Sequence, residues 1–86
     1  LELQVRPAFQ SVLEAEGRQR IQAERVRIEG RRLTINEILK DKGQADENLL
    51  ETVRQKFFTE QDRLFSDQAT YIQRIAALRR QMGFFE

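Results

Sequence analysis

The sequence predicts an all-α fold, an antiparallel helical hairpin of two long helices packed as a coiled coil. Charged residues make up 34% of the chain and hydrophobic residues 40%, a balance that suits long amphipathic helices better than a globule. Large apolar residues recur every seven positions in both halves, which is the repeat of helices that pack side by side. The segment KDKGQADEN, residues 40–48, separates the halves and is typical of a turn.

The chain length and the position of the turn predict the domain organisation. A chain of 86 residues holds one domain at most. We expect a first helix over about residues 7–41, a turn over 42–45 and a second helix over about 46–82. The chain opens abruptly with LELQVRP, so we expect this single hairpin domain, residues 1–86, to be a fragment of a longer protein.

The first helix is predicted to start near Pro7, because proline is tolerated in a first helical turn. Its packing row is predicted from Ile21, Ile28 and Ile35, which are seven residues apart. Most positions that should complete this row carry a glycine or a charged side chain. The first helix therefore offers few apolar contacts.

The segment RVRIEGRRLTI, residues 25–35, allows a second interpretation. Its apolar residues alternate on either side of Glu29 and Gly30, which is also the pattern of a short β-hairpin. Helix is favoured because Glu, Gln, Arg and Ala dominate residues 14–25. The prediction allows a break or bend in the helix around residues 30–36.

The turn carries a signal for each helix end. Lys40 and Lys42 suit a helix C-terminus, and Gly43 suits the left-handed residue that follows it. Asp46 is the expected N-cap of the second helix, and Glu47 adds favourable negative charge to its first turn. Because the connection is short, the two helices should fold back antiparallel.

The second helix carries a wide apolar stripe. One row recurs every seven residues, at Leu50, Phe57, Leu64, Tyr71 and Leu78. A second row follows one position on, about 100° around the helix, at Phe58, Phe65 and Ile72. Between the rows lie Gln61, Gln68, Ile75 and Met82. A stripe of this width indicates packing against more than one neighbour.

One row can face the first helix, but that helix is too sparse in apolar residues to cover both. We therefore expect an interface with a protein partner, either another copy of the chain or another helical protein. Gln61 and Gln68 either lie partly solvated at its edge or hydrogen-bond across it and fix its register. The candidate interface residues are Leu50, Val53, Phe57, Phe58, Gln61, Leu64, Phe65, Gln68, Tyr71, Ile72, Ile75, Leu78 and Met82.

The sequence predicts no catalytic, cofactor-binding or metal-binding residues. It lacks Cys and His, which removes the thiol nucleophile, the commonest general base and the commonest metal ligand. Ser11 and Ser66 therefore have no histidine to activate them. We expect neither enzyme activity nor a small-molecule substrate. No apolar run reaches the roughly 20 residues that cross a bilayer, so membrane contact is expected only through domains outside this chain.

An arginine cluster supports an alternative function, that of a small helical nucleic-acid-binding protein. Six arginines within fifteen residues could neutralise several phosphates. Glu16, Glu24 and Glu29 lie among them, however, and the net charge of the chain is only +1. Nucleic acid is therefore the less favoured partner. The cluster comprises Arg18, Arg20, Arg25, Arg27, Arg31 and Arg32.

The second half of the chain resembles a known family. A Gln-x-x-Phe start, a polar run, a further Gln and an ending on Ile, Arg, Ile and Leu occur at Gln55, Phe58, Gln68, Ile72, Arg74, Ile75 and Leu78. This order resembles the α-helical hairpin of membrane fusion proteins, the periplasmic adaptors of HlyD-type type I secretion systems. The earlier segment LEAEGRQRIQAERVRIEG, residues 13–30, resembles the family's helix rich in Gln, Arg, Glu and Ala, so the similarity covers about residues 13–82. The family's Phe-Pro pair in the connecting segment and its Arg/Leu/Ser pattern at the hairpin tip are both missing.

The resemblance implies a non-enzymatic structural module in the periplasm. Such hairpins stand side by side in a tube that bridges an inner-membrane exporter and an outer-membrane channel. This chain would then supply the hairpin shaft, and the tip, lipoyl and β-barrel domains would lie outside it. The alternative is a generic coiled-coil assembly or scaffold segment of a cytoplasmic or phage protein.

Overall fold

The computed structural model of the chain describes the backbone of residues 2–83 and the side chains of residues 6–83, so the extreme ends of the expected 1–86 domain lie outside the described residues. Two helices make up the described fold: α1, Glu2–Asp41, and α2, Glu47–Gln81. They pack along their length into a rod whose Cα extents are 63 × 17 × 14 Å. The predicted all-α helical hairpin is confirmed.

The break that the sequence suggested around residues 30–36 is wrong, because α1 continues through this segment without interruption. The β-hairpin alternative for residues 25–35 is excluded by the same helix. Polar side chains here bond within the helix instead of ending it. The Thr34 hydroxyl donates to the Gly30 carbonyl at 3.1 Å, and the Asn36 amide donates to the Arg32 carbonyl at 2.8 Å. Tertiary packing along α2 outweighs the weak local helix propensity.

The start of α1 also differs from the prediction. The helix begins at Glu2, five residues before Pro7, which therefore lies inside it. Proline at this depth costs one backbone hydrogen bond, since it has no N–H to donate. The helix tolerates the loss because Pro7 lies near its N-terminal end, with only the five residues 2–6 before it.

A Schellman motif ends α1. The Gly43 N–H donates to the Lys40 carbonyl at 2.9 Å, and the Gln44 N–H donates to the Leu39 carbonyl at 2.7 Å. Gly43 has a φ of 72°, the left-handed conformation that glycine adopts without a steric penalty. The glycine thus has the role that the sequence predicted for it.

The start of α2 is capped as the sequence predicted. The Asp46 carboxylate accepts a hydrogen bond from the Leu49 N–H at 2.7 Å, so one of the free amides of the first turn is satisfied. Across the turn, Lys40 and Glu47 form an ion pair at 3.2 Å. The chain therefore reverses direction within the five residues between the helices.

The helices meet along a seam of residues spaced alternately three and four apart, which is the heptad spacing of a coiled coil. Every seam residue is buried or half-buried. On α1 the seam consists of Val12, Ala15, Gln19, Gln22, Val26, Glu29, Leu33 and Asn36. On α2 it consists of Leu50, Val53, Phe57, Glu60, Leu64, Asp67, Tyr71, Arg74 and Leu78.

The isoleucine row of α1 is not part of this seam, contrary to the sequence prediction. Ile21, Ile28 and Ile35 each precede a seam residue by one position and are exposed. If α1 were rotated so that the three isoleucines faced α2, the charged side chains of Glu24 and Arg31 would also turn toward α2. The observed rotation leaves both charged side chains exposed, which avoids their desolvation.

Candidate interaction surfaces

The seam joins the two helices with few apolar contacts. Only Val12, Ala15, Leu50 and Val53 are buried apolar side chains among the residues whose side chains the structure describes. Three polar side chains are buried with them: Gln22, Glu29 and Glu60. The interior of the hairpin is therefore thin and partly polar.

Gln22 links the helices at the middle of the seam. Its Nε2 donates to the Glu60 backbone carbonyl and to the Glu60 carboxylate, each at 2.8 Å. A second polar link lies toward the open end, where the Arg74 guanidinium donates to the Ser11 carbonyl at 3.2 Å. Such bonds between partners far apart in sequence hold one helix in a defined register against the other.

The buried carboxylates sit beside a groove that opens on one side of the hairpin. Glu29 and Glu60 are each only 7% exposed. Arg32 lies 3.4 Å from one oxygen of Glu29, and Arg63 lies 3.5 Å from one oxygen of Glu60. The other oxygen of Glu29, Oε2, is buried without a hydrogen-bond partner. The groove is lined by both carboxylates together with Arg25, Ile28, Lys56 and Arg63.

Exposed apolar residues form two rows on opposite sides of the hairpin. One step forward from a seam residue rotates about 100° around the helix, and one step backward rotates as far in the opposite sense. Because the two helices run antiparallel, a step in the same direction along the sequence leads to the same side of the hairpin on α1 and on α2. The residues one step forward form the phenylalanine face: Leu13, Phe58, Phe65 and Ile72. On α1, the exposed apolar residues one step backward form the isoleucine face: Ile21, Ile28 and Ile35.

The structure divides the thirteen predicted interface residues into three groups. Six lie on the seam against α1: Leu50, Val53, Phe57, Leu64, Tyr71 and Leu78. Three lie half-buried beside it: Gln61, Gln68 and Ile75. Four are exposed: Phe58, Phe65, Ile72 and Met82. The first group is therefore occupied within the hairpin, and the last is open to a partner.

The two glutamines predicted as possible register residues do not bond across the seam. Gln61 and Gln68 are half-buried, and neither makes a side-chain hydrogen bond to α1 among the described residues. Gln22 has that role instead. Its signal in the sequence was the position three residues after Gln19 and four before Val26, which is readable only once the heptad frame of α1 is known.

Sequence reasoning missed the isoleucine face as a surface. Ile21, Ile28 and Ile35 are 60%, 44% and 54% exposed. Their seven-residue spacing was visible in the sequence, but it indicated the inner side of α1. The spacing reports a row along the helix and does not say which way the row faces.

The two sides of the hairpin differ in how their cations are compensated. On the phenylalanine side, Arg20, Arg27 and Arg54 pair with Glu16, Glu24 and Glu51 respectively. The hydrogen bond from Arg27 lowers the pKa of Glu24, and the same bond raises the pKa of Arg27. This side is therefore close to neutral.

On the isoleucine side, several cations have no such partner. Arg18, Arg25 and Lys56 each precede a seam residue by one position, and none forms an ion pair with a described residue. The arginine cluster noted in the sequence is thus split between the two sides and does not form one continuous basic surface. Of its isoleucine-side members, Arg32 pairs with Glu29, while Arg18 and Arg25 carry charge without an ion pair to a described residue.

No family model, curated protein or solved structure matches this chain. Among the described residues, no helix has the length and apolar content that a membrane span requires. Nor do three or more acidic side chains come together as metal ligands anywhere in that part of the chain. The two exposed apolar faces are candidate functional features of the described residues, because large apolar side chains are left in solvent there.

Proposed function

We propose that this chain is a non-enzymatic structural module, a helical hairpin that packs against a neighbouring copy of itself through the phenylalanine face. The observation that carries the proposal is the exposure of that face. Phe58, Phe65 and Ile72 are 52%, 60% and 66% exposed. Among the described residues, the hairpin buries four apolar side chains, yet it leaves these three, which are as large or larger, exposed to solvent.

The energetics favour association. Burying one exposed Phe or Ile contributes roughly 1.5–3 kcal/mol, and large exposed apolar patches mark interaction sites on soluble proteins. The row also repeats every seven residues along α2, which is the spacing at which a second helix can interdigitate. Three arginines of this side are already paired with glutamates, so a helical neighbour meets less uncompensated charge around the row.

Sedimentation velocity at rising protein concentration tests the proposal. The chain should shift to higher mass, and the paired change Phe65→Ser with Ile72→Ser should weaken self-association by at least about tenfold. The matched control is Ile21→Ser with Ile28→Ser, which removes two exposed apolar side chains from the opposite face and should leave self-association unchanged. A chain that stays monomeric at every concentration would contradict the proposal.

The finer form of the proposal is that the hairpin belongs to the shaft of a periplasmic membrane fusion protein bridging an inner-membrane exporter and an outer-membrane channel. Its support is the similarity of the second half of the chain to that family, together with an elongated rod of 63 Å. The sequence of the whole gene product is the test. An N-terminal membrane helix and two lipoyl halves flanking the hairpin would agree with it, and a reading frame lacking both would contradict it.

A coiled-coil scaffold segment of a cytoplasmic or phage protein is the alternative, favoured by the continuous heptad seam on both helices. In such a scaffold, the phenylalanine face would again be the surface that packs against a neighbouring copy. Fractionation of cells that express the full-length protein separates the two forms, because only the adaptor is recovered in the periplasmic or envelope fraction.

A further inference from the structure

We infer that the isoleucine face is a second docking surface, and that it binds an acidic amphipathic helix of a protein partner. This surface lies on the opposite side of the hairpin from the phenylalanine face. The inference therefore stands apart from self-association. It rests on three features of the described residues: an exposed apolar row, uncompensated cations beside it, and a buried carboxylate oxygen without a donor.

The apolar row sets the form of the partner. Ile21, Ile28 and Ile35 are seven residues apart on one straight helix, so successive side chains lie about 10 Å apart along the rod. A partner helix with apolar residues at the same repeat meets each of them in turn. An extended strand has a two-residue repeat and matches this spacing less well.

The cations set the charge of the partner. Five flank the row, Arg18, Arg25 and Arg32 on α1 with Lys56 and Arg63 on α2. The carboxylates on this side are Glu29 and Glu60, which are buried, and Glu14 at the end of the row. Five cations against three carboxylates leave two positive charges in excess. Arg18, Arg25 and Lys56 have no ion pair among the described residues. Asp or Glu side chains that flank the partner's apolar row would form ion pairs with these three cations.

The unpartnered carboxylate distinguishes a protein from other anionic partners. Glu29 lines the groove beside Ile28, and its Oε2 is buried without a hydrogen-bond partner. A Ser, Thr, Asn or Gln on a partner helix can donate to the Glu29 carboxylate once that side chain turns toward the groove, whereas lipid acyl chains would keep it buried without a donor. A nucleic acid would pair phosphates with the arginines but leave the isoleucines uncovered, and no aromatic side chain on this face can stack on bases.

A labelled synthetic helix of about four heptads, with Leu facing the row and Glu flanking it, is the probe. Fluorescence anisotropy measures its binding to the 86-residue chain. The control peptide carries Lys in place of every flanking Glu. We expect the acidic peptide to bind at least about tenfold more tightly than the basic one at low salt, and its affinity to fall steeply between about 0.05 and 0.5 M salt.

Variants of the chain locate the binding site. Ile28→Ser should weaken binding of the acidic peptide about tenfold. Arg18→Gln with Arg25→Gln should weaken it and reduce its salt dependence, while far-UV circular dichroism stays unchanged because both side chains are exposed and unpaired. Phe65→Ser with Ile72→Ser, on the other face, should leave peptide binding intact.

Two results would overturn the inference. The first is equal binding of the acidic and basic peptides, or no binding of either. The second is binding of phosphatidylserine vesicles or of duplex DNA that depends on Ile28 and Arg25 more strongly than peptide binding does. Self-association is tested with variants of the phenylalanine face and peptide binding with variants of the isoleucine face. Either proposal can therefore be disproved without affecting the other.

Discussion

The Nε2 of Gln22 donates to both the backbone carbonyl and the carboxylate of Glu60, each at 2.8 Å. One amide group thus satisfies two acceptors of the facing helix at the centre of a seam with few apolar contacts. A shift of either helix by one heptad would separate Gln22 from Glu60 and leave both polar side chains buried without each other. The pair therefore fixes the register of the hairpin.

Replacing Gln22 tests this relationship. The change Gln22→Leu leaves the Glu60 carboxylate buried without its shortest hydrogen bond, so the free energy of unfolding should fall by about 1.5–3 kcal/mol. Urea denaturation followed by far-UV circular dichroism measures it. Combining Gln22→Leu with Glu60→Leu removes both partners and should recover most of the loss, as apolar replacements of buried polar pairs often do. A double variant less stable than the single one would contradict the assignment.

The two helical glycines of α1 provide a matched pair for a test of packing. A Cβ at Gly17 meets nothing within 4 Å, whereas a Cβ at Gly30 would lie 3.2 Å from Cε1 of the Phe57 ring. Gly17→Ala should therefore raise the free energy of unfolding by about 0.5–1 kcal/mol, because alanine favours helix. Gly30→Ala should raise the free energy of unfolding by distinctly less, since the Phe57 ring must move to make room for the added methyl group. In a Phe57→Leu background the two gains should converge; a persistent difference there would place its cause elsewhere.

The turn gives a prediction about helix capping. Asp46→Ala removes the acceptor for the Leu49 N–H and should lower the free energy of unfolding by about 1 kcal/mol. Asp46→Asn keeps a side-chain acceptor and serves as the control, with most of the stability retained. Thermal unfolding by circular dichroism measures both. Equal melting temperatures for the alanine variant and the wild type would show that the cap contributes nothing.

The Arg27–Glu24 pair predicts a pH dependence. The hydrogen bond from Arg27 holds the pKa of Glu24 below its ordinary value of 4.5, so the ionised form is favoured in the folded chain. The stability from this pair is fully present above that ordinary value and is lost as the pH falls through the lower folded pKa. The difference in stability between the wild type and Glu24→Gln should therefore be constant near neutral pH and vanish in strong acid. A difference that grew on acidification would refute this account.

Local signals at the turn predicted the structure well. Gly43 and Asp46 act through hydrogen bonds to residues within five positions of them, so their identities alone indicate the geometry. The sequence also predicted that one of the two apolar rows of α2 would be left uncovered, because α1 has too few apolar residues to cover both. That this is the row of Phe58, Phe65 and Ile72 is known only from the structure.

The orientation of α1 was not readable in the same way. Its most conspicuous apolar row faces solvent, while Gln19, Gln22 and Glu29 take seam positions. The choice between these faces depends on the pairing of Gln22 with Glu60, two residues 38 positions apart. The residue pattern of α1 alone does not indicate this hydrogen bond, because its acceptor lies on α2.

If both faces bind as proposed, their opposite orientation gives the hairpin a valence of two. A molecule engaged on one side keeps the other free, so it can link two neighbours that never touch each other. The distance between them is then set by a helical pair with a Cα cross-section of 17 × 14 Å. A molecule that lost one face would bind a single neighbour and could no longer connect the two.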